Sequence, residues 1–210
     1  DLVVTPQWLA THLRDPNLVI LQVGPKEGYD KAHIAGARFV DLRMIDAKQT
    51  PDESKLVLEM PGPADLRGRL EKFGISDGSR IVVVESEEWF SPSTRVIFTL
   101  QYAGLGDRTS WLDGGLAGWV KAGNPTTTEI SAVTAGHLTK SAQTGLIVDY
   151  SFVGRLAGGQ PGMKLIDARA PMFFEGPAHG EMKAGHIPGA ASLPFNTLVG
   201  DNEQLLSTAE

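Results

Sequence analysis

The chain has 210 residues, 41% of them hydrophobic, no cysteine, and a formal net charge of −6. That length fits one large or two small domains, and the apolar share is enough for a packed core. An acidic balance with no Lys/Arg run beyond two or three residues argues against a nucleic-acid surface. Apolar runs such as Ile81–Val84 fall far short of the roughly 20 residues of a membrane helix.

Thr5 followed by Pro6 predicts a helix start, with Thr5 as cap and Pro6 at the first helical position. "NLVILQV" (Asn17–Val23) is a short apolar run of the buried-strand type. A turn at His33–Gly36 leads to a second short run, "RFVDL". "PADLRGRLEKFG" places Leu66, Leu70 and Phe73 at helical spacing, with Gly74 suited to the C-terminal cap. "RIVVVE" (Arg80–Glu85) is the clearest strand. "SPSTRVIFTLQYAG" reads as a helix capped by Ser91, with Pro92 in its first turn and Gly104 at its end. A short strand "SWL", a turn "DGG" and a closing helix "LAGWVKAG" complete this half. Strands alternating with helices predict a parallel sheet with helices on both faces.

The Thr, Ser, Gly and Pro of "NPTTTEISAVTAG" predict a linker, giving domains at 1–124 and 137–210 with 125–136 between them. In the second domain "IVDYSFVGRLAGG" is expected as helix and "MKLIDAR" as strand. A glycine-rich loop, "EGPAHGEMKAG", leads to a second His turn, and a further helix is expected to begin at "LLSTAE". "KAHIAGARFVDL" (Lys31–Leu42) and "KAGHIPGAASLPF" (Lys183–Phe195) are thus two copies of one turn, opened by His33 and His186.

These pieces in this order resemble a tandem rhodanese, a sulfurtransferase. The residues that carry the resemblance are "HIAGARFVDL", "GHIPGAASLPF", "IVVVESEEWFSPSTRV", "LDGGLAGW" (Leu112–Trp119) ahead of "KAGNP", and "LIDAR" (Leu165–Arg169). The resemblance implies an α/β fold with a parallel five-stranded sheet per domain and helices on both faces, the second domain incomplete here. It implies a silent first domain and a second domain whose cysteine takes sulfur from thiosulfate or 3-mercaptopyruvate as a persulfide. Cyanide or a thiol, on a small molecule or an acceptor protein, then removes that sulfur. No organic or metal cofactor is implied, and neither nucleic acid nor membrane is an expected partner. Physically, a helix N-terminus lowers a thiol's pKa, loop N–H groups attract anions, and covalent storage divides one transfer into two easier steps.

The chain departs from that pattern where the nucleophile belongs. After "IVVVE" the loop position is Ser86, read as a vestigial site. Glu87 and Glu88 after it repel an anionic donor, and Pro92 removes one N–H from the cradle. In the second copy the equivalent position falls beyond Glu210. The natural protein is therefore expected to continue past it, or a second chain to complete the domain.

Features shared by both copies, His33 with His186 and Gly36 with Gly189, are read as structural, the glycines for their special backbone conformation. Features in one copy only are the functional candidates. "LQVG" in the first copy aligns with "IDAR" in the second, so Gln22 faces Asp167 and Gly24 faces Arg169. Arg169 is expected at the carboxyl end of a parallel strand, where such sheets bind ligands, with a guanidinium suited to a sulfonate or carboxylate. Asp167 would orient it; the alternative is a structural or inter-domain ion pair. Mercaptopyruvate-type members carry a further arginine where Phe173 stands, which favours thiosulfate. His179, Glu181 and His186 match no standard metal-ligand spacing, and "GGQPGMK" lacks the glycine spacing and Ser/Thr of a phosphate loop. Two other readings remain: a non-catalytic rhodanese-like binding or regulatory module, and a 3-mercaptopyruvate sulfurtransferase.

Overall fold

The computed structural model describes residues 1–47, 58–86, 91–157, 159, 161–176 and 185–198. The chain divides into two units, Asp1–Thr144 and Gly145–Glu210.

The first unit is an α/β sheet of five parallel strands. Its elements are β1 (Val3–Val4), α1 (Pro6–His12), β2 (Leu18–Val23), α2 (Lys26–Lys31), β3 (Arg38–Val40), α3 (Pro63–Lys72), β4 (Arg80–Glu85), α4 (Ser91–Tyr102), β5 (Thr109–Leu112) and α5 (Gly115–Lys121). The strand order is β1-β5-β4-β2-β3, with every pairing parallel. β2 and β4 are central, so both faces of each are covered and both read as near-continuous apolar runs. Val19, Leu21, Ile81 and Val83 pack on one face with Leu66 and Leu70 of α3 and Val96 and Leu100 of α4. Ile20, Val82 and Val84 pack on the other with Leu9 of α1, Tyr29 of α2 and Trp119 of α5. Thr5 caps α1 by accepting the Trp8 N–H at 3.1 Å. Gly74 leaves α3 at φ +70°, a conformation that glycine adopts without the Cβ penalty.

The segment after α5, whose composition suggests a loose connection, is fastened to this unit. Thr127 exchanges two backbone hydrogen bonds with His33, at 2.8 and 3.0 Å. The Asp77 carboxylate accepts the backbone N–H groups of Thr139 and Lys140 and the Thr139 hydroxyl. Leu138 is buried in the α3/α4 core, and the Gln143 N–H reaches the Tyr102 carbonyl at 2.7 Å. Thr and Ser bias a segment against regular structure, yet their polar groups here fix it by side-chain and backbone bonds.

In the second unit, α6 (Tyr150–Leu156) is followed by β6 (Ile166–Asp167), α7 (Pro171–Glu175) and β7 (Ala191–Ser192). The expected helix from Ile147 begins only at Tyr150, because Asp149 caps it by accepting the Phe152 N–H at 2.7 Å. The expected strand "MKLIDAR" narrows to Ile166–Asp167, paired parallel with β7. The two sheets share a register: Leu21↔Arg38 and Gln22↔Phe39 in the first, Ile166↔Ala191 and Asp167↔Ser192 in the second. Two strands form this sheet among the described residues. The helix expected at "LLSTAE" lies outside the described residues.

Candidate functional site

The site is built at the carboxyl end of β6, where the chain turns from strand into α7. Asp167 is the last strand residue, and its Oδ1 accepts the Arg169 backbone N–H at 3.0 Å, a local turn of the type that Asp favours. The turn brings the two side chains together. Arg169 Nε donates to Oδ1 at 2.9 Å and Nη2 donates to Oδ2 at 2.6 Å, a bidentate pair. A second donation runs from Nη2 to the Gly185 carbonyl at 2.8 Å. The hydrogen bond from the Arg169 side chain, then the one from its backbone, holds the Asp167 carboxyl down to about 2. The Arg169 guanidinium is raised above its ordinary value, first by its hydrogen bond to Asp167.

A guanidinium has five N–H groups in a planar fork. Nε and both hydrogens of Nη2 are committed to Asp167 and Gly185. The Nη1 amino group donates to nothing among the described residues. Arg169 is 48% exposed, while Asp167 is only 12% exposed. Both line a cavity of about 510 Å³ with Ile166, Gly185, His186 and Ile187.

The two His turns have one geometry. His33 Nδ1 lies 2.8 Å from the Tyr29 carbonyl and its ring stacks on Tyr29 at 4.0 Å. His186 Nδ1 lies 3.0 Å from the Phe174 carbonyl and its ring stacks on Phe174 at 3.7 Å. Gly36 and Gly189 take φ +77° and +81°, and the turns close through Ala37 N–H to Ile34 and Ala190 N–H to Ile187. The copies differ at the outer ring nitrogen. His33 is fully buried, with Nε2 3.0 Å from the Glu129 carbonyl, whereas His186 lines the cavity.

They differ again in what clamps the turn. In the first unit the Gln22 amide does so alone: Nε2 donates to the Ala32 carbonyl at 3.0 Å and Oε1 accepts the Ile34 N–H at 3.3 Å. In the second, Asp167 stands at that strand position and a carboxylate only accepts. The Gly185 carbonyl, preceding the His as Ala32 does, takes its hydrogen from Arg169 instead.

Ser86 lies in the other unit, at the end of β4, where its hydroxyl donates to the Val23 carbonyl at 2.8 Å. Opposite it, Gly24 takes φ +148°, and a Cβ there would run into the Ser86 hydroxyl. The position that carries Arg169 in the second unit therefore has no room for a side chain in the first. Pro92 lies in the first turn of α4, and Phe173 is half-buried in α7. Glu87, Glu88, His179 and Glu181 lie outside the described residues, as do parts of "GGQPGMK". Among the described residues no cluster of His, Asp or Glu could hold a metal ion, and no helix is long and apolar enough to cross a membrane. Sequence reasoning missed Phe174 and the Gly185 carbonyl; an aromatic upstream of each His turn was the available signal.

The family model for a rhodanese-like domain matches residues 5–122. A probable 3-mercaptopyruvate sulfurtransferase of Pseudomonas aeruginosa is 30% identical over 213 residues, covering 97% of this chain and 74% of the relative. A thiosulfate sulfurtransferase of Azotobacter vinelandii is 29% identical, covering 97% of this chain and 73% of the relative. The crystal structure of the 3-mercaptopyruvate sulfotransferase SseA from Escherichia coli superposes with a TM-score of 0.82 at 25% identity, over 98% of this chain and 79% of that one.

Proposed function

This chain belongs to the rhodanese-like domain family, and from that premise we propose that it serves sulfane-sulfur transfer from thiosulfate to cyanide or a thiol, with Arg169 holding the donor anion. The observation that carries this reading is that Arg169 lines the cavity at the carboxyl edge of β6 with an Nη1 amino group that donates to nothing among the described residues. Ligands of parallel α/β sheets bind at that edge, and a guanidinium donates paired hydrogen bonds to an oxyanion. Asp167 ties the guanidinium to the strand end by its bidentate contact.

In this reading a cysteine thiolate attacks the outer sulfur of thiosulfate. The sulfur–sulfur bond breaks, sulfite leaves with the electron pair, and the cysteine becomes a persulfide. Cyanide then attacks the outer persulfide sulfur, giving thiocyanate and regenerating the thiolate; a thiol acceptor, small or on a protein, acts at the same atom. The 210 residues hold no cysteine, so that thiolate is supplied from outside them. What these residues contribute is the anion contact.

A second reading, 3-mercaptopyruvate as donor, is favoured by the similarity to the probable 3-mercaptopyruvate sulfurtransferase of Pseudomonas aeruginosa. Against it stands Phe173, an apolar side chain in the middle of α7 where the family resemblance implies a second cation. Calorimetric titration of the chain with thiosulfate and with 3-mercaptopyruvate separates the two, since without cysteine neither donor is consumed. Thiosulfate is expected to bind more tightly, and Arg169→Ala to weaken it by about tenfold or more, the loss of a charge-assisted hydrogen bond. Tighter binding of 3-mercaptopyruvate would install the second reading. Binding of neither would overturn both and leave a regulatory module.

A further inference from the structure

We propose that His186 is a positioning residue for anion binding by Arg169, acting through the carbonyl of Gly185. This rests on the reading of Arg169 given above. The Gly185 carbonyl carbon is bonded to the His186 nitrogen, so the orientation of that peptide plane follows the anchorage of His186. The anchorage has two parts. The ring lies flat on Phe174, 5° from parallel at 3.7 Å. Nδ1 lies 3.0 Å from the Phe174 carbonyl, which only accepts, so Nδ1 carries the hydrogen. On the other side of the peptide, Gly185 sits at φ +92°, in the left-handed region where a backbone without Cβ is readily displaced. With one side permissive, the ring sets where the carbonyl points, and the carbonyl points at Arg169 Nη2, 2.8 Å away.

The first unit carries the same ring anchorage with a different donor to the carbonyl. There His33, anchored on Tyr29 in the same way, fixes the Ala32 carbonyl, and the neutral amide of Gln22 donates to it at 3.0 Å. In the second unit the donor to that carbonyl is a cation with one further amino group to spare. Asp167 and Gly185 together hold Nη2 and thereby set the direction of Nη1. Asp167 alone holds one edge of the fork and leaves the guanidinium free to pivot about that edge. The turn thus converts a flexible arginine into an oriented one, and ordering before binding lowers the entropy cost of holding the anion.

The test uses the full 210-residue chain with arginine side-chain resonances resolved by NMR and inorganic thiosulfate as the probe. Without ligand, rotation about the Arg169 Nε–Cζ bond is slowed by the contacts to Asp167 and Gly185. His186→Ala is expected to speed that rotation by about tenfold, the effect of losing one charge-assisted hydrogen bond. Phe174→Leu keeps the carbonyl acceptor but removes the ring contact, and is expected to act in the same direction. Retention of the Ala190 N–H bond to Ile187 shows that the turn is still formed in each variant. With thiosulfate, both variants are expected to bind more weakly than wild type, and to cause no further loss in an Arg169→Ala background. Unchanged rotation in both variants overturns the proposal. So does faster rotation with wild-type thiosulfate affinity. If rotation speeds up as expected but the wild-type chain binds no thiosulfate, the positioning of Arg169 stands and the sulfur-donor reading falls.

Discussion

Ser86 donates twice to one acceptor: its hydroxyl at 2.8 Å and its backbone N–H at 3.0 Å both reach the carbonyl oxygen of Val23. The hydroxyl proton is thus directed at a carbonyl oxygen, which is no base for it, and among the described residues no other side chain hydrogen-bonds the hydroxyl. The buried Glu85 precedes it, with its side chain against Gly115 at the start of α5.

Placing the missing nucleophile there is therefore expected to fail. In Ser86→Cys the thiol would sit against a carbonyl oxygen, which disfavours the thiolate. Intact-mass measurement after thiosulfate is expected to show no gain of one sulfur, about 32 Da for a persulfide. A stoichiometric gain would show that the first unit is competent and merely lacks its cysteine.

Gly24 is expected to tolerate nothing larger. At φ +148° a Cβ is strained by itself, and it would also meet the Ser86 hydroxyl. Gly24→Ala should destabilise the first unit by roughly 1–3 kcal/mol. Adding Ser86→Gly should recover part of that loss by making room. Denaturant unfolding followed by tryptophan fluorescence reads the first unit, because Trp8, Trp89, Trp111 and Trp119 all precede Gly145. Simple additivity of the two substitutions would show that the close approach does not matter.

The Asp167–Arg169 pair predicts a specific acid response. The folded carboxyl is held at about 2, below an unfolded value near 3.8. Its contribution to the second unit is therefore fully present above about pH 4 and is lost as pH falls through 2. Carbon-detected NMR titration of Asp167 should show the low midpoint, and Arg169→Ala should return it toward the ordinary carboxylate range. A midpoint already near 4 in the wild-type chain would mean that the pair does not persist in solution.

The strap after α5 is expected to contribute to stability despite its composition. Leu138 is buried in the α3/α4 core, so Leu138→Ala should cost about 2–4 kcal/mol. His33→Ala should cost a comparable amount, since it removes a fully buried ring and leaves the Tyr29 and Glu129 carbonyls without that partner. The same substitution at His186, on an exposed turn, should leave the fluorescence-detected midpoint unchanged. A Leu138→Ala midpoint equal to wild type would mean that the segment is a loose connection after all.

The central fold was legible because burial on both faces leaves no choice of residue: the runs ending at Val23 and Glu85 can only be interior strands. The cap at Thr5 and the left-handed exit at Gly74 were legible because few residue types do those jobs. α2, α7 and β1 were not, since six, five and two residues are too short for a period to show. The fastening of residues 125–144 was hidden for another reason. Thr139 and Lys140 are held by Asp77, and the Leu138 N–H by Glu71, each more than sixty positions earlier, and such pairings leave no trace in local composition. Aligning the two copies singled out Asp167 and Arg169, which the structure places in contact. It did not reveal the third member, because the group that matters at Gly185 is a backbone carbonyl, which every residue possesses.

The exchange of Gln22 for an Asp167–Arg169 pair also bears on how such turns can diverge. One amide both donates to the turn and accepts from it; the ionic version needs two residues for the same two tasks. Changing the glutamine to aspartate first strands a carbonyl without its donor, and adding the arginine first meets Ser86 in the first unit. Neither single step is neutral there, so a copy that has settled on glycine and serine at these positions is held to them by its own packing. Exchanging the amide for the ionic pair there would require linked changes at Gln22, Gly24 and Ser86, which stand on two different strands or at their ends.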